Sequence, residues 1–184
     1  MAEIGVPDIV RPHLLRSEQD PRPVVLMTCG IAGSGKSTLA KAIVAAYPSF
    51  NRVSIDQIIH SRHGLYRIDY PPEKRDEYEA EADGLYEARF RQLLREGKDV
   101  VLDRSFYARG DRDEFKALAE EAGARWVLVY FRADRDVLWR RICERRARGV
   151  DADAAFEISE ELLDAYVEGF DVPDGEGEIV IDVQ

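Results

Sequence analysis

Apolar residues along this chain gather into five short runs, at 24–29, 52–55, 100–102, 126–131 and 179–182. These runs read as buried strands. The segments between them carry helical spacing instead. Over 73–96, Tyr78, Ala82, Leu85, Tyr86, Phe90, Leu93 and Leu94 recur at intervals of three and four with charges on the other face. Gly97 stands where a helix would end. A second helix is predicted near 111–122, with Phe115, Leu118, Ala119 and Ala122 inward and Gly123 as its stop. A third is predicted near 134–148, with Val137, Leu138, Ile142 and Cys143 apolar among arginines, and a fourth over about 153–168. Strands alternating with helices predict an α/β fold, a parallel sheet covered on both faces. Residues 1–23 fit neither period. Pro7, Pro12, Pro21 and Pro23 predict an irregular arm, with Ile9, Val10, Leu14 and Leu15 available to pack on the core.

The first strand runs into Gly30-Ile31-Ala32-Gly33-Ser34-Gly35-Lys36-Ser37, which fits G-x-x-x-x-G-K-[ST], the phosphate-binding P-loop. A run of helix formers follows to Ala46. Strand, glycine loop and helix form the context this motif requires. The glycines let the backbone approach an anion, and the N–H groups at the helix start point at it. The expected nucleotide contacts are Gly30, Ala32, Gly33, Ser34, Gly35, Lys36, Ser37 and Thr38. Lys36 is expected on the β- and γ-phosphates and the Ser37 hydroxyl on Mg²⁺.

Ligands of open α/β sheets bind at the carboxyl ends of the strands. Asp56 follows the second strand and is placed to accept a proton from an attacking hydroxyl, although it also suits a helix N-cap. Asp103 follows the third strand, where a carboxylate holds Mg²⁺, orients an acceptor or caps the next turn. Beyond it, Arg104-Ser105-Phe106-Tyr107-Ala108-Arg109-Gly110-Asp111-Arg112 mixes aromatic and cationic residues. Arg62, Arg104, Tyr107 and Arg112 are the candidate acceptor contacts; Arg112 also has Asp111 and Glu114 nearby to pair with. Residues 60–72 read as an irregular loop on the acceptor side or a plain surface loop. Tyr66, Tyr70 and Tyr107 either line a pocket or lie on the surface.

Charge sharpens the picture. Net charge is −10, which argues against a large nucleic-acid surface. Seven arginines and no lysine lie between Arg132 and Arg148, followed by twelve acidic residues and no basic one from Asp151 onward. Arg141, Arg145 and Arg148 share one helix face, which would close over a triphosphate and neutralise developing charge. The alternative is a salt-bridged surface facing the acidic tail. Cys29 and Cys143 read as buried free thiols in a cytoplasmic protein, and no spacing suggests zinc. Residues 1–23 do not read as a secretory signal, and no apolar run approaches the roughly 20 residues that span a bilayer.

Together, Gly30 to Thr38, Ser54-Ile55-Asp56, Val101-Leu102-Asp103 and Arg140-Arg141-Ile142-Cys143-Glu144-Arg145 resemble the small P-loop kinases with an adenylate-kinase-like core. The nearest likeness is to an AAA-type ATP-binding family that includes chloramphenicol phosphotransferase, zeta toxins and polynucleotide 5′-hydroxyl kinases. The resemblance covers residues 24–182. It implies the P-loop nucleoside triphosphate hydrolase fold, with a five-stranded parallel sheet ordered 2-3-1-4-5, a kinase domain over 24–184 and a helical lid near 140–155. It implies ATP and Mg²⁺ as cofactors, Lys36, Asp56, Arg141 and Arg145 as catalytic residues, and Ser37 and Asp103 at the metal. The expected reaction moves the γ-phosphoryl group to a hydroxyl of a small-molecule acceptor, in a monomer or homodimer. Transfer to a nucleic-acid 5′-hydroxyl and a non-catalytic ATP-binding switch stay open.

Overall fold

The computed structural model describes residues 5–149, 151–154 and 156–184. Five strands form one parallel sheet in the order β2-β3-β1-β4-β5. They are β1 (Val24–Cys29), β2 (Phe50–Ser54), β3 (Asp99–Asp103), β4 (Arg125–Ala133) and β5 (Glu178–Val183). The helices are α1 (Lys36–Ala46), α2 (Ile55–His63), α3 (Arg75–Arg95), α4 (Arg109–Glu121), α5 (Arg135–Arg148) and α6 (Glu160–Gly169). Several strands extend beyond their apolar runs, to Phe50, Asp99, Asp103 and Ala133. Ladder hydrogen bonds do not depend on side-chain polarity, so hydropathy alone cannot find those ends.

β1 is the axis of the sheet, and all six of its residues are buried. Its alternate side chains enter two cores, as the two-residue period of a strand dictates. Val25, Met27 and Cys29 pack with Tyr86, Phe90 and Leu93 of α3 and Phe115 of α4. Val24 and Leu26 pack with Leu39, Ala40 and Ile43 of α1. The latter core is completed by the N-terminal arm, where Val6, Val10 and Leu14 are buried while Ile9 and Leu15 stay exposed. Polar bonds fasten the arm: Arg16 Nε donates to Asp99 at 2.9 Å, and Arg125 donates to the carbonyls of His13 and Leu15 at 2.8 Å each.

Three local expectations are corrected. Residues 60–63 are the last turn of α2 and not loop; among the residues of α2 only Ile59 is buried, so its periodicity is too faint to read. The predicted helix over 153–168 is a short 3₁₀ turn at Ala152–Ala154 followed by α6, whose start is fixed by Ser159 accepting from Leu162 N at 3.2 Å. Cys29 is buried as expected, but Cys143 is exposed. Among the described residues no helix is long and apolar enough to cross a membrane.

Arg112 is the largest side chain sealed inside the protein. Its Nε and Nη2 donate to the two carboxylate oxygens of Glu176 at 2.9 and 2.6 Å, and Nη1 donates to the Phe106 carbonyl at 2.9 Å. Lys116 reaches the same carboxylate at 3.2 Å. The cluster ties α4 to the turn before β5. Bonding from Arg112, aided by Lys116 and opposed by burial, holds the Glu176 carboxyl below the usual carboxylate range. A lowered folded-state value means the ionised form favours folding; that stability is present at neutral pH and is lost as pH falls through the folded value. Glu176→Gln should therefore cost about 3 kcal/mol, the scale for removing one partner of a buried ion pair. Urea unfolding at pH 7 measures it, and the difference from wild type should shrink at acid pH.

Candidate active site

The P-loop emerges from β1 and turns into α1. Gly30, Gly33 and Gly35 all have positive φ, at 144°, 84° and 110°. Gly33 is constrained twice, because a Cβ there would also meet the Leu138 carbonyl and Ile142 of α5 at 3.0 Å. The absent side chain lets α5 lie directly against the loop. Gly35 is the left-handed N-cap of α1, and the first-turn N–H groups of that helix have no intrahelical acceptor. Ser34 Oγ is buried and without a partner among the described residues. Lys36 Nζ donates to the Ile31 carbonyl at 3.0 Å, bending back over its own loop. Burial lowers the ammonium's pKa, against the pull of Asp103 and Asp56.

Asp103 ends β3 and is almost fully buried. Its two oxygens are divided between partners. Oδ1 accepts from Ser37 Oγ at 3.2 Å, and Oδ2 accepts from Arg52 Nε and Nη2 at 2.9 and 2.6 Å. Arg52 Nη2 also donates to Asp153 Oδ1 at 2.6 Å, and Lys41 of α1 pairs with the other Asp153 oxygen. A hydroxyl and a carboxylate on hard oxygen atoms suit Mg²⁺. Among the described residues no group of three or more His, Cys, Asp or Glu is placed to hold a metal, so a cation here would complete its shell with phosphate and water oxygens.

Asp56 lies in the first turn of α2, and the N-cap is Ser54, which accepts from Gln57 N at 3.4 Å. Asp56 is thus not the cap that sequence alone allowed. It opens into a cleft of about 880 Å³ shared with Lys36, Ser37, Asp103, Arg141 and Arg145. The surrounding mass of protein, then the charges of Asp103 and Asp153, push its carboxyl up to about 6 against Lys36 and Arg145. A carboxylate so tuned is both ionised at neutral pH and basic enough to take a proton.

The arginine cluster is partitioned. Arg132 pairs with Asp182, Arg135 with Asp164 and Glu160, and Arg146 with Glu157, so these bind the acidic C-terminal region. Arg141, Arg145 and Arg148 instead line the cleft. Arg141 Nη1 donates to the Ser34 carbonyl at 3.4 Å and Arg145 Nη1 to the Asp153 carbonyl at 3.4 Å.

Of the candidate acceptor residues, Arg104 and Tyr107 line the cleft. Arg62 does not; it pairs with Glu81 at 2.6 Å across α2 and α3. Arg112 is the buried strut already described, and its partner, Glu176, lies 64 residues away, beyond the reach of local reasoning. Sequence reading missed Arg52, Lys41 and Asp153, as well as Arg75, Phe156 and Tyr166 on the cleft wall. Arg52 left one signal: it is two residues before Ser54 on a strand and so shares its face.

The family model described as an AAA domain matches residues 25–173. A comparison with curated proteins found no match. Among solved structures, a putative kinase from Chloroflexus aurantiacus J-10-fl superposes with a TM-score of 0.68 at 20% identity, over 87% of this chain and 88% of that one. A gluconokinase from Sinorhizobium meliloti 1021 gives 0.59 at 24% identity, over 89% and 83%. A chain of the Pnkp1/Rnl/Hen1 RNA repair complex gives 0.65 at 21% identity, over 80% of this chain but 44% of that one. These likenesses extend the P-loop fold to this chain, and the span of the family match makes it a member of the AAA domain family.

Proposed function

We propose that this protein is a magnesium-dependent phosphotransferase that moves the γ-phosphoryl group of ATP to a hydroxyl of a small-molecule acceptor. The observation that carries the reading is Asp56, a carboxylate pushed up to about 6 and facing Lys36 and Asp103 across one cleft. A nucleotide sensor needs phosphate contacts but has no use for a tuned base.

In this reading the loop N–H groups and Lys36 hold the β- and γ-phosphates, and Ser37 and Asp103 hold Mg²⁺, which supplies charge neutralisation at the phosphates. The acceptor hydroxyl gives its proton to Asp56 as its oxygen bonds to the γ-phosphorus. The bond from that phosphorus to the β–γ bridging oxygen breaks, and ADP leaves. Arg141 and Arg145 offset the charge that develops on the transferred group. The expected lid near 140–155, of which residues 150 and 155 lie outside the described residues, would exclude water, which otherwise competes as acceptor. The acidic chain disfavours a nucleic-acid acceptor, and the likeness to a chain of an RNA repair complex makes an oligonucleotide the control worth including.

ATP consumption with Mg²⁺ across an acceptor panel tests the reading. Asp56→Asn should lower acceptor-stimulated turnover by about 10²-fold or more, the size of general-base effects. It should also raise the melting temperature near pH 7. A raised folded-state value means the ionised carboxylate opposes folding above about pH 6, and asparagine removes that charge. Lower activity with lower stability would instead mark Asp56 as structural.

The wild-type rate should rise with pH through about 6 and fall below it as Asp56 takes up its proton. A flat profile from pH 5 to 8 counts against the base. Ser37→Ala should raise the Mg²⁺ concentration needed for half-maximal activity and weaken Mg²⁺-dependent protection by ATP against thermal unfolding; equal Mg²⁺ dependence in both forms would remove Ser37 from the metal site.

A further inference from the structure

Beyond Asp56 the cleft changes character. Its cations gather on the phosphate side, at Lys36, Lys41, Arg141, Arg145 and Arg148. The other side is built from half-buried rings: Tyr66, Tyr70, Tyr107, Phe156 and Tyr166. Tyr66 lies 5.5 Å from Phe156 and 5.8 Å from Tyr70 between ring centroids. Tyr107 lies 6.4 Å from Tyr166. These are the separations of aromatic side chains in contact.

Two arginines stand on this wall, and both are already paired with carboxylates. Arg75 Nε donates to Glu79 at 2.6 Å, and its Cζ sits 3.6 Å over the Phe156 ring. Arg104 Nη1 pairs with Asp83 at 3.2 Å. Glu79 and Asp83 therefore match the two cations of this wall, while Asp56 faces Lys36 and Arg145 on the phosphate side. A carboxylate or phosphate on the acceptor would give up its water and meet no free positive charge, a costly exchange. A flat apolar ring would meet ring faces and lose little. Tyr70 links this wall to the chemistry: burial raises its hydroxyl above the usual tyrosine value, and both Glu79 and Asp56 act on it in the same direction.

We propose that this wall is the acceptor subsite and that it selects an uncharged, ring-bearing alcohol, an aryl alcohol or aryl glycoside, whose ring lies among Tyr66, Tyr70 and Phe156 while a hydroxyl points to Asp56. The placement of the hydroxyl rests on the phosphotransferase reading; the binding of the ring does not. The subsite discriminates against sugar acids and oligonucleotides because its arginines are spent.

Calorimetry on the full chain, saturated with a non-hydrolysable ATP analogue and Mg²⁺, tests this separately from turnover. The titrants are a set of uncharged aryl alcohols and aryl glucosides, gluconate and a 5′-hydroxyl oligonucleotide. The neutral ring compounds should bind most tightly. Tyr66→Ala should weaken them by about tenfold, the scale of losing one aromatic contact in a pocket, with affinity for the ATP analogue unchanged. The double variant Glu79→Gln, Asp83→Asn frees both arginines. It should bind the carboxylate-bearing forms of the same ring compounds at least about tenfold better than wild type does, which a merely structural role would not produce.

Tighter binding of gluconate or the oligonucleotide than of every ring compound would overturn the proposal, as would binding of none of them. Loss of the ATP analogue in Tyr66→Ala would assign the rings to the nucleobase and overturn it too. Ring compounds that bind at this wall but accept no phosphoryl group would leave the subsite standing and defeat the phosphotransferase reading.

Discussion

The Asp103 carboxylate is the point at which the parts of the site are held in register. The strand order sets it between the P-loop strand and β2, since β3 pairs with both. One oxygen faces Ser37 at the start of α1, and the other is clamped by Arg52 of β2. Through Arg52 the chain of charges continues to Asp153, and Lys41 closes it back onto α1. Each charge is paired, which is the condition for keeping such groups out of water. A cation bound here would meet only one oxygen of Asp103, because the other is already spent on a guanidinium.

A second constraint acts from the opposite side. α5 rests on Gly33 through Leu138 and Ile142, and Ile142 and Leu138 form a small core with Ile158 and Leu163. The helix that bears Arg141 and Arg145 is therefore positioned by apolar packing on one face and is left free to present cations on another. Its outer arginines, Arg135 and Arg146, bind the acidic C-terminal region, which anchors the helix without drawing charge from the cleft.

Local motifs were legible in the sequence because their physics is local. Gly30 to Ser37 reads directly, since positive φ and a helix N-terminus each demand particular residues at fixed spacing. The inner strands β1, β3 and β4 read as apolar runs because both faces of the sheet are covered there. Asp56 and Asp103 could be ranked by position after a strand. What failed depended on partners distant along the chain. Arg112 read as a pocket residue or a partner of Asp111 or Glu114, because its buried partner, Glu176, lies 64 residues away in the turn before β5. Arg52 looked like an ordinary strand residue, because only the register Ser54↔Asp103 brings its guanidinium to the carboxylate. α2 hid behind polar side chains at His60, Arg62 and His63, which leave a single buried residue to mark its inner face.

The distribution of charge explains how an acidic protein can hold an anionic nucleotide. The excess of negative charge lies on outer surfaces, where salt screens it over about 8 Å at physiological ionic strength. Inside the cleft the nearest charges dominate; on the phosphate side Asp103 and Asp153 are paired with Arg52 and Lys41, and Lys36, Arg141 and Arg145 line the same space. A compact triphosphate held there senses the local cations far more than the distant acidic surface. The same partition runs through α5, which turns Arg141, Arg145 and Arg148 to the cleft and pairs Arg135 and Arg146 with the acidic C-terminal region outside.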